Sequence, residues 1–281
     1  VFKNNKFGQI LECARKLNVS GIELSTGVEL AETENTWLKK ALKMKDVKFL
    51  IHNYFPPPVR PFVLNLASDN AETREQSMAH CKTAVDLCKA LEIPFYSVHA
   101  GFCVHAGAAD LGKDLTRLPR IPMEKAKKIF IDSLKELTAY AAPKSVRLAV
   151  ENNVLAPFNL TGEDNQLLLG VTADDLLEIH ERVESEHLDF LLDVGHCKVS
   201  AKTLGFDPAS MVKALADHVV AVHMSDNDGT VDINDPIKTD SWFWPVLNEC
   251  LGSRGNYVLE VKPMDEAALS EQLDLIHEKL G

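Results

Sequence analysis

The chain alternates between two kinds of segment along most of its length. Short runs of aliphatic and β-branched residues are separated by longer segments in which apolar and charged residues recur with helical spacing. Most of the short runs are apolar at consecutive positions, which is typical of parallel strands that are covered on both faces. We therefore predict seven strands, at 21–25, 47–54, 93–101, 146–153, 188–196, 219–226 and 257–262.

The longer segments begin with residues that favour helix starts. Thr172 precedes two aspartates, Asp207 precedes a proline, and Pro122 precedes a segment with Glu124 in its first turn. Capping residues, proline and acids are enriched at these positions of helices. We predict helices at 70–92, 123–142, 172–184, 208–217 and 265–280, after a first helical segment near 6–18. The alternation of strands and helices predicts an α/β fold with a parallel sheet.

The architecture that this repeat favours is a TIM barrel, (β/α)₈. Such a barrel needs a strand before the first helix, whereas the sequence begins at Val1 and turns helical within a few residues. We therefore expect the first strand to be missing or truncated in this chain, and a seven-stranded or open sheet is the alternative. No linker or composition break divides the chain. The sequence predicts one domain over residues 1–281, with one elaborated loop at 102–121.

Composition narrows the class of protein. With 281 residues, 46% of them hydrophobic and 25% charged, the chain is unlike collagenous, disordered or disulfide-scaffold proteins. The net charge of -11 disfavours a nucleic-acid partner unless basic residues cluster locally. The six cysteines lack C-x-x-C spacing, and no apolar run is long enough to cross a membrane. These features predict reduced thiols and a cytoplasmic protein without membrane contact; a homo-oligomer stays an open alternative.

Polar residues that can bind metal or transfer protons stand at the ends of nearly all the predicted strands. They are Glu23, His52, His99, Glu151, Asp193 with His196, His223 and Glu260. In a parallel barrel these strand ends meet at one mouth, where active sites of this architecture lie. A buried carboxylate in an apolar run is costly unless it is paired or bound to a metal. We therefore predict that Glu151, Asp193, His223 and Glu260 ligate one divalent ion.

The donor types narrow the identity of that ion. Three carboxylates and one imidazole suit Mn²⁺, Mg²⁺ or Co²⁺, whereas additional imidazoles from His52, His99 and His196 would shift the preference towards Zn²⁺ and make room for more than one ion. Each of His52 and His99 could instead be a core imidazole or a substrate contact.

Three other features each have two interpretations. Glu23 either joins the site or serves as a helix cap or lysine partner. Lys262, two residues after Glu260, either binds a substrate oxyanion or pairs with the carboxylates. The aromatic run 242–244 is either a substrate platform or part of the core, and we expect at least one of its tryptophans to be core.

The motifs GIELS, HNYFPPP, SVHAG, VENN, LLDVGH, HMSDNDG and LEVK together resemble the xylose-isomerase-like TIM-barrel superfamily. The resemblance covers essentially the whole chain, and the superfamily contains sugar isomerases and epimerases as well as endonuclease IV. Resemblance to the sugar-epimerase branch implies a single divalent ion on the four residues named above and a substrate contact at His196. It implies a sugar or sugar phosphate as the substrate.

The four-ligand site fits isomerase or epimerase chemistry through an enediolate. A divalent ion on the carbonyl and the adjacent hydroxyl of a sugar lowers the cost of the charge that develops on these oxygens. Glu151 and Glu260 are then the catalytic pair, one removing the proton and the other returning it. We expect His52, His99, His196 and Lys262 to contact the substrate.

Two alternatives remain at this point. The endonuclease IV branch cleaves DNA at abasic sites with a zinc cluster, and His52 and His99 match two of its histidines. That branch also carries an Asp-x-His pair after the strand matched by 219–226, where this chain has Asp226, Asp228 and Asp232 but no histidine. A non-catalytic carbohydrate-binding barrel is the other alternative, although it would leave the four-ligand cluster unexplained.

Overall fold

The computed structural model describes residues 1–2, 6–28, 34–58 and 60–281. Strands and helices alternate along these residues, as the sequence predicts. The seven strands are β1 Gly21–Leu24, β2 Lys48–His52, β3 Phe95–His99, β4 Arg147–Glu151, β5 Leu188–Asp193, β6 Val219–Met224 and β7 Tyr257–Leu259. They pair in chain order, and every pair is parallel.

Helices connect the strands. Within the described residues they are α1 Phe7–Lys16, α2 Glu34–Lys43, α3 Ala71–Ala90, α4 Met123–Ala141, α5 Ala173–Val183, α6 Val194–Leu204, α7 Pro208–Leu215, α8 Trp244–Cys250 and α9 Glu266–Leu280. The predicted caps Thr172 and Asp207 accept hydrogen bonds from backbone amides in the first turns of α5 and α7. None of the described helices is both long and apolar enough to cross a membrane.

The sheet curls into a nearly closed barrel, which confirms the TIM-barrel prediction. Near the start of the chain, Phe2 forms a parallel bridge with Met264, which follows β7. The Val1 carbonyl accepts a hydrogen bond from the Met264 amide at 3.1 Å. The start of the chain therefore lies against the segment that follows β7.

The side chains inside the barrel form successive layers, because residues two apart on a strand point to the same face of the sheet. Phe95, Ala149, Leu191 and Ala221 form a small buried cluster inside the barrel. One step further along their strands lie Ser97, Glu151, Asp193 and His223, all of them buried. The register pairs Asp193 with His223, so the polar ends of neighbouring strands lie side by side.

All seven strands end earlier than predicted, and the difference is largest, three residues, at β5 and β7. The strand predicted at 188–196 ends at Asp193, because the Asp193 Oδ1 accepts a hydrogen bond from the His196 amide at 2.6 Å and so caps α6 with no intervening loop. The strand predicted at 257–262 ends at Leu259. Lys262 therefore lies after the strand, where its amide donates to the Asn234 carbonyl at 2.8 Å.

Candidate metal centre and active site

Four side chains converge at the mouth of the barrel. Glu151 and Asp193 end β4 and β5, His223 is in β6, and Glu260 directly follows β7. One ligand atom from each lies within 4.8 Å of the others. Glu151, Asp193 and His223 are fully buried, whereas the Glu260 side chain is 40% exposed. The structure thus brings together the four residues that were predicted to share a metal.

Three residues of this cluster have buried polar atoms without a hydrogen-bond partner. Both Glu151 carboxylate oxygens, the Asp193 Oδ2 and the His223 Nδ1 are buried without one, although the His223 Nδ1 lies 2.7 Å from a Glu260 oxygen and 3.4 Å from a Glu151 oxygen. Buried polar atoms left in this state are destabilising. A divalent cation would satisfy these atoms together, and the donor set fits one.

Glu23 fixes the orientation of His223. The His223 Nε2 donates to the Glu23 Oε1 at 2.8 Å, across a sequence separation of 200 residues. A neutral ring that donates from Nε2 leaves the lone pair of Nδ1 directed at the cluster. Carboxylates commonly orient metal-binding histidines in this way. Of the two interpretations of Glu23, the structure favours the one in which this residue belongs to the site.

Asn152 is a residue of the site that sequence reasoning missed. Its side chain donates to the Asp193 carbonyl at 3.0 Å and accepts from the Asp193 amide at 2.8 Å. Its own carbonyl accepts from the His196 Nδ1 at 2.8 Å. Asn152 therefore holds both Asp193 and His196 in place. The available signal was an amide side chain directly after a strand-end glutamate, in the motif VENN.

His52 and His99 lie on the other side of Glu151. The His99 Nδ1 is 3.1 Å and the His52 Nε2 3.3 Å from the Glu151 Oε2. The Ser97 hydroxyl donates to a carbonyl and lies 3.1 Å from the His52 Nδ1, so in the neutral ring the lone pair is on Nε2. Burial lowers the pKa of His99 to about 4, which keeps that ring neutral. These three residues form a second set whose ligand atoms lie within 4.8 Å.

His196 lies in the first turn of α6 and faces Asp232. Its Nε2 is 3.3 Å from the Asp232 Oδ2. Although burial opposes a charged ring, the carboxylates of Asp193 and Asp232 hold the pKa of His196 well above its usual range. His196 and His99, whose rings lie 5.9 Å apart, border the set of Glu151, Asp193, His223 and Glu260, the candidate metal-binding cluster, on the side of the loops.

The cluster carries more negative charge than its imidazoles balance. Burial raises the pKa of Asp193 to about 8, and the Glu260 and Asp232 carboxylates act in the same direction. Against the effect of burial, His223 lowers the pKa of Glu260 to about 2. Burial, and after it the neighbouring carboxylates, thus favour the protonated form of Asp193, whereas a cation at the cluster would favour its carboxylate.

Lys262 lies apart from this cluster. Its ammonium donates to the Asp235 Oδ1 at 2.8 Å, and the side chain is 58% exposed. The role of Lys262 in substrate binding stays a prediction. In the aromatic run, Phe243 and Trp244 are buried at the start of α8, as expected for core residues.

A cavity of about 460 Å³ lies beside the candidate metal-binding cluster. His99 and His196 line both the cluster and this cavity, and Asp232 lies at the same boundary. Most of the remaining walls come from the segment after β2 and the loops after β3 and β4, with Thr26 after β1 and Val231 after β6. The cavity therefore leads from the cluster to the surface on the side of these loops.

Comparison with known proteins agrees with this architecture. A relative from Methanocaldococcus jannaschii named "Uncharacterized protein MJ1311" is 25% identical over 261 residues, which cover 87% of this chain and 77% of that protein. A D-tagatose 3-epimerase-like protein superimposes with a TM-score of 0.67 and 21% identity, covering 93% of this chain and 90% of that chain. The D-psicose 3-epimerase of Clostridium cellulolyticum H10 superimposes with a TM-score of 0.73 and 12% identity, covering 99% and 96%.

The family itself follows from the sequence match. Residues 11–275 match the profile described as "Xylose isomerase-like TIM barrel". This range spans nearly all of the barrel and every residue of the metal-binding cluster. The chain belongs to the xylose isomerase-like TIM barrel family.

Proposed function

We propose that this protein is a divalent-metal-dependent isomerase or epimerase that acts on a sugar or sugar phosphate through an enediolate. The observation that supports this most is the set of four buried or half-buried ligand atoms, from Glu151, Asp193, His223 and Glu260, that lie within 4.8 Å of one another. Two of the similar structures are named as a D-tagatose 3-epimerase-like protein and a D-psicose 3-epimerase, which favours a keto sugar as the substrate.

The ion would be Mn²⁺, Mg²⁺, Co²⁺ or Zn²⁺, held by those four residues. Once bound, it would supply Lewis-acid polarisation of a carbonyl and a neighbouring hydroxyl oxygen. Asp193 and His223 serve mainly to hold it, because Asn152 and Glu23 fix their orientations. Both are fully buried, so neither has a direct route for exchanging a proton with solvent.

Glu151 and Glu260 transfer the proton. Neither oxygen of the buried Glu151 carboxylate has a hydrogen bond, and against the effect of burial His99 and His52 hold the pKa of Glu151 well below its usual range. The residue is therefore ionised and can accept a proton from a carbon next to a carbonyl. Glu260 has a side chain that is 40% exposed, so a proton on its carboxyl group exchanges with water. The pair can therefore remove a proton on one side of a carbon and return a solvent-derived proton on the other.

His99 and His196 are placed to bind the substrate. Both border the cluster and line the cavity that leads away from it. The neutral His99 ring can accept a hydrogen bond from a sugar hydroxyl or donate one to it. His196 is held in place by Asn152 and Asp232, and its ring nitrogens are donors. His52 is more deeply buried and contacts Glu151, so its effect on the substrate would be indirect.

Hydrogen exchange at carbon tests this function. The metal-loaded protein is incubated in D₂O with a panel of ketohexoses and keto-glycosides, and deuterium at the carbon next to the carbonyl is measured by NMR. We expect incorporation that EDTA abolishes and that Glu151→Gln reduces at least a thousandfold while metal stays bound, because the amide keeps an oxygen donor but takes no proton. Glu249→Gln, on the exposed face of α8, is the matched control and should be fully active.

A zinc-dependent endonuclease of the endonuclease IV type is the second candidate. The second set of ligand atoms, from His52, His99 and Glu151, favours it. Against it, Asp226 accepts hydrogen bonds from Lys198 and Ser241, and Asp228 accepts one from Thr230, so these two carboxylates of the loop after β6 are already engaged. Chelator-sensitive incision of abasic DNA that is lost in His99→Ala, with no deuterium exchange on any sugar, would establish this activity in place of the first.

A further inference from the structure

The cavity beside the metal-binding cluster is apolar, which is unexpected for a site that takes only a bare sugar. Its walls include Tyr54, Phe62, Phe102, Leu111, Phe158 and Val231. The polar lining residues are fewer than the apolar ones, and besides Tyr54 they are Thr26, Asn53, His99, Asn153, Asn159, His196 and Asp232. A free hexose would leave these aromatic and aliphatic side chains in contact with water.

The apolar surface continues to the mouth of the cavity. In the described part of the chain five large apolar side chains are strongly exposed, and three of them line this cavity: Leu111 at 45%, Phe158 at 40% and Val231 at 37%. Exposed apolar side chains that gather at one opening mark a binding surface more often than those that lie singly. They surround the route by which a ligand reaches the cluster.

The cavity offers no free cation. None of the described residues that line it is lysine or arginine, and the one lining imidazole whose pKa is held well above its usual range, His196, lies 3.3 Å from the Asp232 carboxylate. A phosphate group would need basic side chains or a helix N-terminus to replace its water. Here the His196 charge is already paired with Asp232 and the N-terminus of α6 is capped by Asp193, so neither is available to a phosphorylated sugar.

Contacts within the protein hold the walls of the cavity in place. The loops after β3 and β4 share a separate hydrophobic core that contains Val104, Leu115, Leu155, Leu167 and Leu168. Backbone bonds join the two loops, from the Cys103 amide to the Leu167 carbonyl at 2.8 Å and from the Leu169 amide to the Gly101 carbonyl at 2.9 Å. The apolar cavity is therefore a preformed site rather than a gap between mobile loops.

We infer that the substrate is an uncharged sugar derivative that carries an apolar substituent, such as an aromatic or alkyl group in glycosidic linkage. The sugar part would lie against His99 and His196, with its reacting carbon at the metal-binding cluster. The substituent would lie between Leu111, Phe158 and Val231. This inference rests on the proposed function for the position of the sugar, whereas the apolar site itself is independent of catalysis.

Binding of matched glycosides tests the inference. The probes are phenyl and methyl β-D-glucopyranoside and the corresponding β-D-galactopyranosides, titrated into the full-length protein in EDTA and followed by ligand-observed NMR. We expect each phenyl glycoside to bind at least tenfold more tightly than its methyl partner. Phe158→Ala and Leu111→Ser should each reduce that ratio at least threefold. Leu42→Ser is the matched control, since Leu42 is 52% exposed and lies outside the cavity.

Several outcomes would overturn the inference. Equal binding of phenyl and methyl glycosides would do so, as would a preference that Leu42→Ser reduces as much as Leu111→Ser does. Tighter binding of glucose 6-phosphate than of glucose would contradict the uncharged substrate. If Leu111→Ser and Phe158→Ala instead convert an oligomer to a monomer and no phenyl preference exists, the exposed side chains form a subunit contact.

Failure of this inference differs from failure of the proposed function. A phenyl preference without deuterium exchange on any keto sugar leaves the apolar site in place and rejects the isomerase. Deuterium exchange on free ketohexoses without a phenyl preference keeps the isomerase and rejects the apolar substituent.

Discussion

The two ends of strands β4 and β5 differ in whether their charged side chains are paired within the chain. At the start of these strands, the Arg147 guanidinium donates two hydrogen bonds to the Asp189 carboxylate, one of them at 2.9 Å and the other from Nε. Four residues further along each strand, on the same face, lie Glu151 and Asp193, which together have three oxygens without a hydrogen-bond partner. The same face of these two strands thus has a complete ion pair at one end and carboxylate oxygens without a hydrogen-bond partner at the other.

This difference distinguishes charged residues that stabilise the fold from charged residues that are available to bind a ligand. The Arg147–Asp189 pair is complete within the chain, so it needs nothing from outside to be stable. The Glu151–Asp193 end is incomplete, and a cation is the partner that would satisfy it. Between them lies the small apolar layer around Ala149 and Leu191, which isolates one kind of charge from the other.

The largest expected effect comes from Asp193→Asn. Asparagine caps a helix as well as aspartate does, so α6 should keep its start. The variant should bind metal at least a hundredfold more weakly, yet its metal-free form should be more stable by about 1 kcal/mol, because the unpartnered buried acid is gone. Calorimetric metal titration and urea unfolding in EDTA measure the two effects. A metal affinity within threefold of the wild type would show that Asp193 is no ligand.

Asp189→Asn should have the reverse effect. Removing the charge that faces Arg147 should lower the free energy of unfolding by about 1–2 kcal/mol, less than for a fully buried pair since the Arg147 side chain is 41% exposed. Metal affinity should stay within twofold of the wild type. Urea unfolding and the same metal titration apply, and a large loss of metal binding would mean that the two ends of the strands are coupled.

The pH dependence of stability should also originate at the open end. Burial raises the pKa of Asp193 to about 8, whereas an unfolded aspartate titrates near 4. Between these values the unfolded chain binds fewer protons at this carboxyl group, so Asp193 makes the stability of the metal-free protein fall as pH rises, by about 1 kcal/mol per pH unit. The lowered pKa of His99 acts in the opposite direction between about pH 4 and 6.5. Urea unfolding at pH 6.5, 7.0 and 7.5 in EDTA should therefore show a steeper fall in Asp189→Asn than in Asp193→Asn. Equal slopes in both variants would assign the effect to other groups.

The smallest effect is expected at Lys262. Its ammonium is exposed and paired with Asp235, away from both strand ends. Lys262→Met should therefore change metal affinity and the rate of deuterium exchange by less than threefold. A tenfold loss of exchange with unchanged metal binding would show that Lys262 reaches the substrate in the complex.

The strand-end residues could be predicted from the sequence because their spacing follows the barrel repeat. Apolar runs located the strands, and the architecture then brought Glu151, Asp193 and His223 together although they are far apart in the chain. The prediction failed where local chemistry ended a strand early. Asp193 caps α6 directly, and β7 stops at Leu259, which places Lys262 beyond the strand.

Contacts between distant side chains could not be predicted in this way. The hydrogen bond from His223 to Glu23 sets which imidazole nitrogen is free, and no local signal links residues 200 positions apart. The role of Asn152 depends on how β4 and β5 lie beside each other. The shape and lining of the cavity depend on how two long loops fold against each other, which periodicity does not report.

The separate hydrophobic core of the loops after β3 and β4 affects how the sequence of this protein can evolve. Because Leu115, Leu155 and Leu167 pack with one another rather than with the barrel, substitutions that reshape the cavity wall need not disturb the strands that hold the ligands. New specificities can then arise by exchange of one surface module at constant chemistry. For protein engineering, the segments 102–121 and 154–171 form a natural unit for transplantation between barrels of this family, with the donor's preference expected to travel with them.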